Sequence, residues 1–450
     1  MPQERRLTSS RLGRLSQLGR LAGSIAGGAM AEGARQIAGG RRPSIGDMLL
    51  TPGNARRLGD RLSEMRGAAM KVGQLLSMDS GQLLPPQLGE LLARLREDAH
   101  AMPLGQVAAV LKDAWGTGWE NQFSRFSFTP LAAASIGQVH EAVLKDGRRL
   151  AVKIQYPGIR ESIDSDVDNV ATLLRLSNLV PEGMDLQPLL DEAKSQLHAE
   201  ADYLREARAL ERFGTHLAQD SRFEVPAVVD SLTTQRVLSM RFLDGSPIES
   251  LLDAPSSQRN AAATALLELA IREVFDWGLV QTDPNFANYL FAAESGRIQL
   301  LDFGATRDYA GTAQAGFGAL LRACIEGSDV DIQAAAADVG YLQPADPAAY
   351  RDSVVALLRS ATEPARAQGD YDFARSDLAA RMRDIVTEMR LRERFARVPP
   401  PEILFLHRKL GGLYLLLSRL RARVPVATLI SPLLPTGSGR GLAGELQQAV

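Results

Sequence analysis

The chain has 450 residues, of which 45% are hydrophobic and 23% charged, and its formal net charge is −2. This length and composition fit a folded chain of one large or two ordinary domains, and the near-neutral charge gives no support to nucleic-acid binding. The single cysteine, Cys324, excludes an internal disulfide and a cysteine-based zinc cluster, and the five histidines follow no metal-ligand spacing.

Residues 1–45 combine eight arginines with a short stripe of leucines at every third position from Leu12 to Leu21. A basic amphipathic helix of this kind can lie on an anionic membrane surface, and a flexible tail or a helix packed on the same chain fits the pattern equally. The apolar run 21–31 is interrupted by three glycines and a serine. Because no run reaches the roughly 20 apolar residues of a membrane-spanning helix, we expect a cytoplasmic protein with peripheral membrane contact.

The next segments alternate between helical and strand patterns. Apolar residues recur at helical spacing over 47–113, and the segments 132–144 and 148–158 then predict a β-hairpin around the turn 145–148. A helical pattern over 163–218 precedes strand-like segments at 224–230 and 234–243. Beyond residue 256 the chain is mostly helical, apart from a second predicted hairpin within 288–304.

A set of spaced polar residues carries the chemistry. Lys153 lies in the apolar strand sequence AVKIQ, and QTDPNFAN then provides Asp283 and Asn288. The apolar segment LLDFG ends in Asp302, so the order matches the lysine, catalytic loop and metal-binding aspartate of kinases. Carboxylate and amide oxygens suit Mg2+, which indicates Asn288 and Asp302 as metal ligands, while Asp283 would orient or deprotonate an attacking hydroxyl.

The kinase pattern also requires an acidic partner for Lys153. Glu206 is the natural partner on the predicted helix that follows, and together with Lys153 and Asp283 it completes the predicted catalytic set. Glu200 and Asp202 lie about one turn earlier on the same predicted helix. Periodicity alone leaves open whether these two acids act in the site or form a solvated face.

Two features of protein kinases are missing. The glycine-rich phosphate loop is replaced by an alanine-rich loop, a predicted ATP-binding segment that consists of Ala132, Ala133, Ala134, Ser135, Ile136 and Gly137. Because alanine restricts the backbone more than glycine, we expect a stiffer loop. After Gly304 the sequence passes almost directly into a helical pattern without an A-P-E element, so we expect the platform for a peptide substrate to be absent.

Together these residues resemble the UbiB/AarF-domain family of atypical kinase-like proteins, and within it the mitochondrial coenzyme Q kinase-like subgroup and its bacterial relatives. The resemblance runs from about residue 59 to about residue 425. It includes the alanine-rich loop, QTDPNFAN, LLDFGATR and LHRKLGG, and two further motifs: K-x-G-Q, with Lys71, Gly73 and Gln74, and E-x-D, with Glu200 and Asp202. By periodicity alone, Lys71 and Gln74 are ordinary helix-surface residues.

The resemblance implies an α+β, protein-kinase-like two-lobed fold with extra N-terminal helices. We expect a basic segment 1–45, a helical extension 46–125 with the K-x-G-Q motif, an N-lobe 126–245 with inserted helices, a helical C-lobe 246–435 and a flexible tail 436–450. The K-x-G-Q helices would cover the active site and contact the E-x-D motif, and these two motifs together would be regulatory. This cover would obstruct a protein substrate.

The resemblance also implies a function. It indicates ATP and Mg2+ as cofactors and an ATPase or small-molecule kinase that supports ubiquinone biosynthesis. A lipid or quinone-precursor ligand, ubiquinone-biosynthesis enzymes and a homodimer are the corresponding partners. Two alternatives remain open at this point: a protein kinase, and a scaffold of a quinone-biosynthesis complex that binds ATP without catalysis.

Overall fold

The computed structural model describes residues 67–69, 71–72, 101–176, 187–309, 311–391 and 399–433. The chain divides into two compact units. The first consists of Met1–Ser250 and Gln281–Thr306, and the second of Leu251–Val280 and Arg307–Val450. The predicted basic segment 1–45, most of the helical extension 46–125 and the predicted tail 436–450 lie outside the described residues.

Helices and strands alternate in the first part of the chain. Up to residue 250 they are α1 (Leu104–Trp115), β1 (Phe123–Phe126), β2 (Ala132–Ala133), β3 (Gly137–Leu144), β4 (Arg149–Gln155), α2 (Ile159–Leu176), α3 (Gln187–Glu200), α4 (Tyr203–Leu217), β5 (Phe223–Glu224), β6 (Val237–Arg241) and β7 (Ser246–Pro247). Residues 67–69 and 71–72 are also helical.

The second part is mostly helical. It contains α5 (Ser256–Arg272), β8 (Leu279–Gln281), β9 (Tyr289–Ala292), β10 (Arg297–Leu300), β11 (Thr306–Asp308), α6 (Thr312–Glu326), α7 (Asp329–Asp338), α8 (Ala348–Ala361), β12 (Tyr371–Asp372), α9 (Leu378–Leu391), α10 (Pro401–Arg419), β13 (Arg423–Val424) and α11 (Val426–Ile430). A π-helical turn, Glu273–Trp277, follows α5 directly.

The first unit contains an antiparallel five-stranded sheet with the order β1-β3-β4-β6, in which β2 also pairs with β3. The predicted hairpin is confirmed: β3 and β4 pair in register, with Val139 opposite Lys153, and Gly147 supplies the left-handed conformation of the turn at φ 87°. Val152 and Ile154 are fully buried in a core that α1 shares with the sheet. This alternation leaves Lys153 on the opposite face of β4.

The second predicted hairpin, β9–β10, is also confirmed. Leu300 lies opposite Tyr289, and Gly296 adopts a left-handed conformation at φ 70° in the turn. The hairpin is part of a four-stranded sheet with the order β5-β10-β9-β7. The strand predicted over 224–230 is wrong in extent, because β5 ends at Glu224 and only Val228 forms an isolated bridge, to Met240. Pro226 has no N–H to donate and interrupts the ladder.

The prediction that Glu200, Asp202 and Glu206 share one helix is wrong. Helix α3 ends at Glu200, and α4 begins at Tyr203 after a break at Asp202, whose φ is −108° and ψ 89°. The Asp202 carboxylate accepts hydrogen bonds from the backbone N–H groups of Leu204 and Arg205, at 3.1 and 3.2 Å. This N-cap starts a new helix, because a short acidic side chain satisfies the first N–H groups of a helix better than it continues the preceding one.

The second unit joins its helices through buried polar contacts as well as apolar packing. Lys409 of α10 forms an ion pair with Glu273 of the π-helical turn, at 2.9 and 2.8 Å to the two carboxylate oxygens. The guanidinium of Arg307 stacks on Phe405 at 3.8 Å from the ring centroid. Within the part of the chain that the structure describes, no helix has both the length and the apolar character required to cross a bilayer. The α+β class predicted from the sequence is confirmed.

Candidate functional site

The centre of the site is the ammonium group of Lys153. Its Nζ donates to both carboxylate oxygens of Glu206, at 2.8 and 2.9 Å, and lies 3.4 Å from Oδ2 of Asp302. Lys153 is 7% exposed and Glu206 1%, whereas the side chain of Asp302 is 35% exposed. The three residues all belong to the first unit. They therefore form one cluster that is buried on the Glu206 side and reaches solvent at Asp302.

The cluster combines one basic and two acidic side chains, and burial and charge act on their pKa values in opposite directions. Burial favours a neutral Lys153, but the attraction of Asp302 and Glu206 outweighs it and raises the pKa of the ammonium well above its usual value. Burial raises the pKa of Glu206 to about 7, against the opposing attraction of Lys153. Burial also acts to raise the pKa of Asp302, but Lys153 outweighs it and the pKa is lowered. Asp302 is therefore the carboxylate that stays ionised and accessible to a cation.

Asp302 is held by the residues that follow it. The backbone N–H of Gly304 donates to Oδ1 of Asp302 at 2.9 Å, and Phe303, which is 1% exposed, packs on Phe213 of α4 with ring centroids 4.8 Å apart. Arg205 of α4 donates to the carbonyl of Gly304 at 3.0 Å and also to that of Thr306. Helix α4 thus fixes the segment after Asp302 while it presents Glu206 to Lys153.

The loop with Asp283 and Asn288 is bonded to the segment from Leu301 to Asp302, directly after β10, by backbone and side-chain hydrogen bonds. The N–H of Leu301 donates to the carbonyl of Asn288 at 3.0 Å, which continues the β9–β10 hairpin and brings Asn288 next to the residue before Asp302. The amide nitrogen of Asn288 donates to the carbonyl of Asp283 at 3.1 Å. Gln281 donates to the carbonyls of Asp283 and Asp302, at 2.9 and 3.1 Å. Asp283, Asn288 and Asp302 are therefore brought together.

The oxygen-donor set of this site fits a magnesium ion. Asn288 uses its amide nitrogen for the bond to the carbonyl of Asp283, which leaves its side-chain oxygen for a cation. Among the described residues, no group of three or more His, Cys, Asp and Glu side chains is arranged to hold a metal. Mg2+ at a phosphate-transfer site needs only one or two protein oxygens, since phosphate and water supply the rest.

The alanine-rich loop folds as a closed turn at the start of the hairpin. Ala132 and Ala133 pair with Val139 and Gln138, and the N–H of Ala134 donates to the carbonyl of Gly137 at 2.8 Å. A Cβ on Gly137 would lie 2.3 Å from the carbonyl oxygen of Ile154. The glycine is therefore required by the close approach of β4.

The K-x-G-Q and E-x-D motifs meet through Lys71 and Glu200. Lys71, which is 4% exposed, forms an ion pair with Glu200, and the Ser135 hydroxyl donates to the other oxygen of Glu200 at 3.0 Å. Burial acts to raise the pKa of Glu200, but the attraction of the Lys71 ammonium is stronger, so the pKa is lowered. Asp202 instead caps α4. Gly73 and Gln74 lie outside the described residues.

Sequence reasoning missed three contributors to the site: Gln281, Arg205 and Ser135 in its contact with Glu200. Gln281 was visible only as the residue two positions before Asp283, and its role depends on a partner 21 positions away. Arg205 bonds a carbonyl 99 positions away, and a bond to a backbone carbonyl leaves no residue pattern at the partner position. The only available signal for Arg205 was its place directly before Glu206.

The chain matches known kinase-like proteins over most of its length. The family model for the ABC1 atypical kinase-like domain matches residues 94–336. "Atypical kinase COQ8B, mitochondrial" of Rattus norvegicus is 39% identical over 424 residues, which cover 94% of this chain and 80% of that protein. "Atypical kinase COQ8, mitochondrial" of Saccharomyces cerevisiae is 37% identical over 424 residues, covering 94% and 84%. The similarity to both kinases therefore extends well beyond the matched domain.

A solved structure shares the fold. The Rv3197–erythromycin complex from Mycobacterium tuberculosis is similar with a TM-score of 0.57 and 28% sequence identity. The match covers 85% of this chain and 96% of that chain. The family model, which matches residues 94–336, includes Lys153, Glu206 and Asp302.

Proposed function

The chain belongs to the ABC1 atypical kinase-like family, and from this premise we propose that it is an Mg-ATP-dependent ATPase or small-molecule kinase that supports ubiquinone biosynthesis. The predicted resemblance to UbiB/AarF kinase-like proteins, with its kinase-like fold, is thereby confirmed. The observation that carries the proposal is the Lys153 ammonium, held by Glu206 and facing the partly exposed Asp302. A cation at this place, backed by a buried acid, suits the phosphates of a nucleotide.

Within this proposal each residue has a defined task. Glu206 holds the Lys153 ammonium in place so that it meets phosphate oxygens without losing side-chain entropy on binding. Asp302 and Asn288 would hold Mg2+, which would neutralise phosphate charge when bound. Asp283 orients an attacking hydroxyl and accepts its proton, and its backbone is positioned for this by Gln281 and Asn288.

A small acceptor or water suits the site better than a peptide. Helix α6 begins at Thr312, and only the short strand β11 lies between it and Gly304. The chain has no room there for the activation segment on which protein kinases bind a peptide. Lys71 and Ser135 both contact Glu200, which supports a K-x-G-Q cover over the alanine-rich loop. These features favour an ATPase or a small-molecule kinase over a protein kinase.

The finer parts of the proposal concern ligands and location. We propose a lipid or quinone precursor as the phosphate acceptor or activating ligand, and contact with ubiquinone-biosynthesis enzymes and a membrane surface. The relatives' names place those proteins in mitochondria and call them kinases, which supports a phosphotransferase type of activity here. The arginine-rich segment 1–45 supports peripheral contact with an anionic membrane.

Asp283→Asn tests the catalytic part of the proposal. ATP turnover is measured for the wild type and the variant, each with and without vesicles that contain anionic lipid and with candidate quinone precursors. We expect the variant to bind Mg-ATP with an affinity within about threefold of the wild type and to lose at least about 100-fold in turnover, since general-base catalysis contributes roughly 10²–10⁴-fold. Undiminished turnover in Asp283→Asn would show that Asp283 is not the general base. A wild type that binds ATP without any turnover would favour the non-catalytic scaffold.

A further inference from the structure

One buried hydroxyl near the site has no hydrogen-bond partner in the structure. Tyr203, the first residue of α4, is 0% exposed, and its Oη is among the few buried side-chain atoms of the described residues without a partner. Leaving a buried hydroxyl unpaired is unfavourable, because the group loses its hydrogen bonds to water and gains none in the protein. Because native structures pair the large majority of such groups, an exception needs an explanation.

Tyr203 contacts the two elements to which the proposed function assigns the nucleotide. Its ring lies 5.3 Å from the ammonium of Lys153, measured from the ring centroid to Nζ. At the other end of the side chain, a Cβ added to Gly137 would lie 2.9 Å from Tyr203 Oη. The hydroxyl is therefore at the end of the alanine-rich loop, and the ring is against Lys153.

The placement follows from the geometry of α4. Tyr203 and Glu206 are three positions apart, which puts both on one face of the helix, and both are buried there. Glu206 bonds Lys153, and Phe213 further along the helix packs on Phe303. One face of α4 thus contacts the alanine-rich loop, Lys153 and the segment after Asp302. Of the two polar side chains on this face, Glu206 bonds Lys153 and the Tyr203 hydroxyl has no partner.

We propose that the Tyr203 hydroxyl is a further nucleotide-binding group, which donates a hydrogen bond to a phosphate oxygen of ATP bound at Lys153. The proposal rests on the Mg-ATP site described under the proposed function. Since Gly137 closes against the hydroxyl, the phosphate must displace this end of the alanine-rich loop to reach it. A neutral donor suits the position, because a second cation beside Lys153 would be repelled and a carboxylate would repel phosphate.

The protonation state of Tyr203 supports a donor role. Burial raises the pKa of the phenol, and it outweighs the opposing effect of the Lys153 ammonium. The hydroxyl consequently keeps its proton at neutral pH. It then provides an uncharged hydrogen-bond donor directly beside the Lys153–Glu206 pair.

Tyr203→Phe tests the proposal, because it removes only the hydroxyl and keeps the ring against Lys153. Binding of Mg-ATP and Mg-ADP to the full chain is measured by calorimetry, and thermal unfolding is measured without nucleotide. We expect the dissociation constant of Mg-ATP to rise roughly tenfold or more, as for loss of a hydrogen bond to a charged group. The midpoint of unfolding without nucleotide should stay the same or rise, since the removed group was buried and unpaired.

Tyr371→Phe in the second unit is the matched control. The Tyr371 hydroxyl bonds Glu363 at 2.9 Å and Ser376 at 2.6 Å, so its removal should lower stability and leave nucleotide affinity unchanged. The proposal is overturned if Tyr203→Phe binds Mg-ATP like the wild type, or if it loses stability as Tyr371→Phe does without a change in affinity, which would indicate a buried water as the partner. A wild type that does not bind Mg-ATP overturns the proposed function as well.

Discussion

The two units each contain a buried lysine–glutamate pair, and the pairs differ in what surrounds them. Lys153 and Glu206 are 7% and 1% exposed, and Lys409 and Glu273 are 3% and 1% exposed. In both pairs the ammonium lies within 2.9 Å of both carboxylate oxygens. The two pairs are alike in burial and geometry. They differ because the Lys153 ammonium of the first pair also faces Asp302, whose side chain is 35% exposed.

A buried ion pair does not by itself mark an active site. The Lys409–Glu273 pair joins helix α10 to the π-helical turn after α5, which is a structural task. In the Lys153–Glu206 pair the ammonium lies beside a second acid that reaches solvent, which fits the proposed binding of phosphate. We therefore expect substitutions in the second-unit pair to change stability alone, and substitutions in the first-unit pair to change nucleotide binding as well as stability.

The largest effect is expected from Lys409→Met. The variant leaves the Glu273 carboxylate buried without its ammonium, and breaking a buried pair in this way costs about 3–5 kcal/mol of unfolding free energy. Denaturant unfolding followed by circular dichroism measures the loss. The double variant Lys409→Met with Glu273→Leu should recover most of it, because both buried charges are then removed. If the single variant is as stable as the wild type, the pair has no structural task.

A second effect of similar size is expected from pH. Folded Glu206 keeps its proton up to about pH 7, whereas an unfolded glutamate loses it near 4.5. The folded chain binds more protons in this window, so the contribution of Glu206 to the free energy of unfolding falls as the pH rises from 4.5 to 7, by up to roughly 3 kcal/mol.

The matched comparison for this pH effect is Glu206→Gln, which cannot titrate. The free energy of unfolding of the wild type minus that of the variant should decrease between pH 5 and pH 7.5, as measured by denaturant unfolding at several pH values. A difference that does not change with pH would mean that Glu206 is ionised throughout, and that the attraction of Lys153 outweighs burial.

A smaller effect, on binding, is expected from Lys153→Met, which should also lower stability because it leaves the Glu206 carboxyl buried without its ammonium. Loss of the charged hydrogen bonds to phosphate should raise the dissociation constant of Mg-ATP roughly 10- to 100-fold. Lys145→Met, at an exposed position in the turn of the same hairpin, should leave the affinity unchanged. Calorimetric titration measures both. Equal affinity in Lys153→Met and Lys145→Met would contradict the assignment of the first-unit pair to nucleotide binding.

The smallest effect is expected from Asp202→Ala. Loss of the N-cap of α4 should lower the free energy of unfolding by about 1 kcal/mol, and Asp202→Asn should retain most of the stability because asparagine also caps. Thermal unfolding of the three proteins measures this order. If Asp202→Ala changes nucleotide affinity without a change in stability, Asp202 acts in regulation as the E-x-D resemblance implies.

Much of the fold and of the site could be predicted because the signals are local. The hairpin around Lys153 follows from alternating apolar residues and the turn glycine Gly147, and the order of Lys153, Asp283, Asn288 and Asp302 is visible in the sequence alone. The break at Asp202 was missed because its side chain competes with the helical pattern through a bond to its own backbone neighbours. The residue pattern cannot reveal that competition.

The contacts of Tyr203 and Arg205 could not be predicted for a different reason. In the sequence, Tyr203 is an ordinary position inside the predicted helical segment 163–218, and its lack of a hydrogen-bond partner becomes visible only when Gly137 and Lys153 are placed around it. Arg205 bonds backbone carbonyls of a distant loop, which any sequence could supply. Such contacts depend on tertiary structure rather than on local pattern.

We expect Asp302, next to the Lys153–Glu206 pair, to bind the Mg2+ of Mg-ATP in the first unit. Asp302→Asn tests it most directly, because it removes the ionised metal ligand and keeps the size of the side chain. Calorimetric titration of ATP with and without Mg2+ should show that Mg2+ strengthens binding to the wild type and has no effect on binding to the variant. Undiminished Mg2+-dependent binding of ATP to Asp302→Asn would contradict the assignment of Asp302 as a metal ligand.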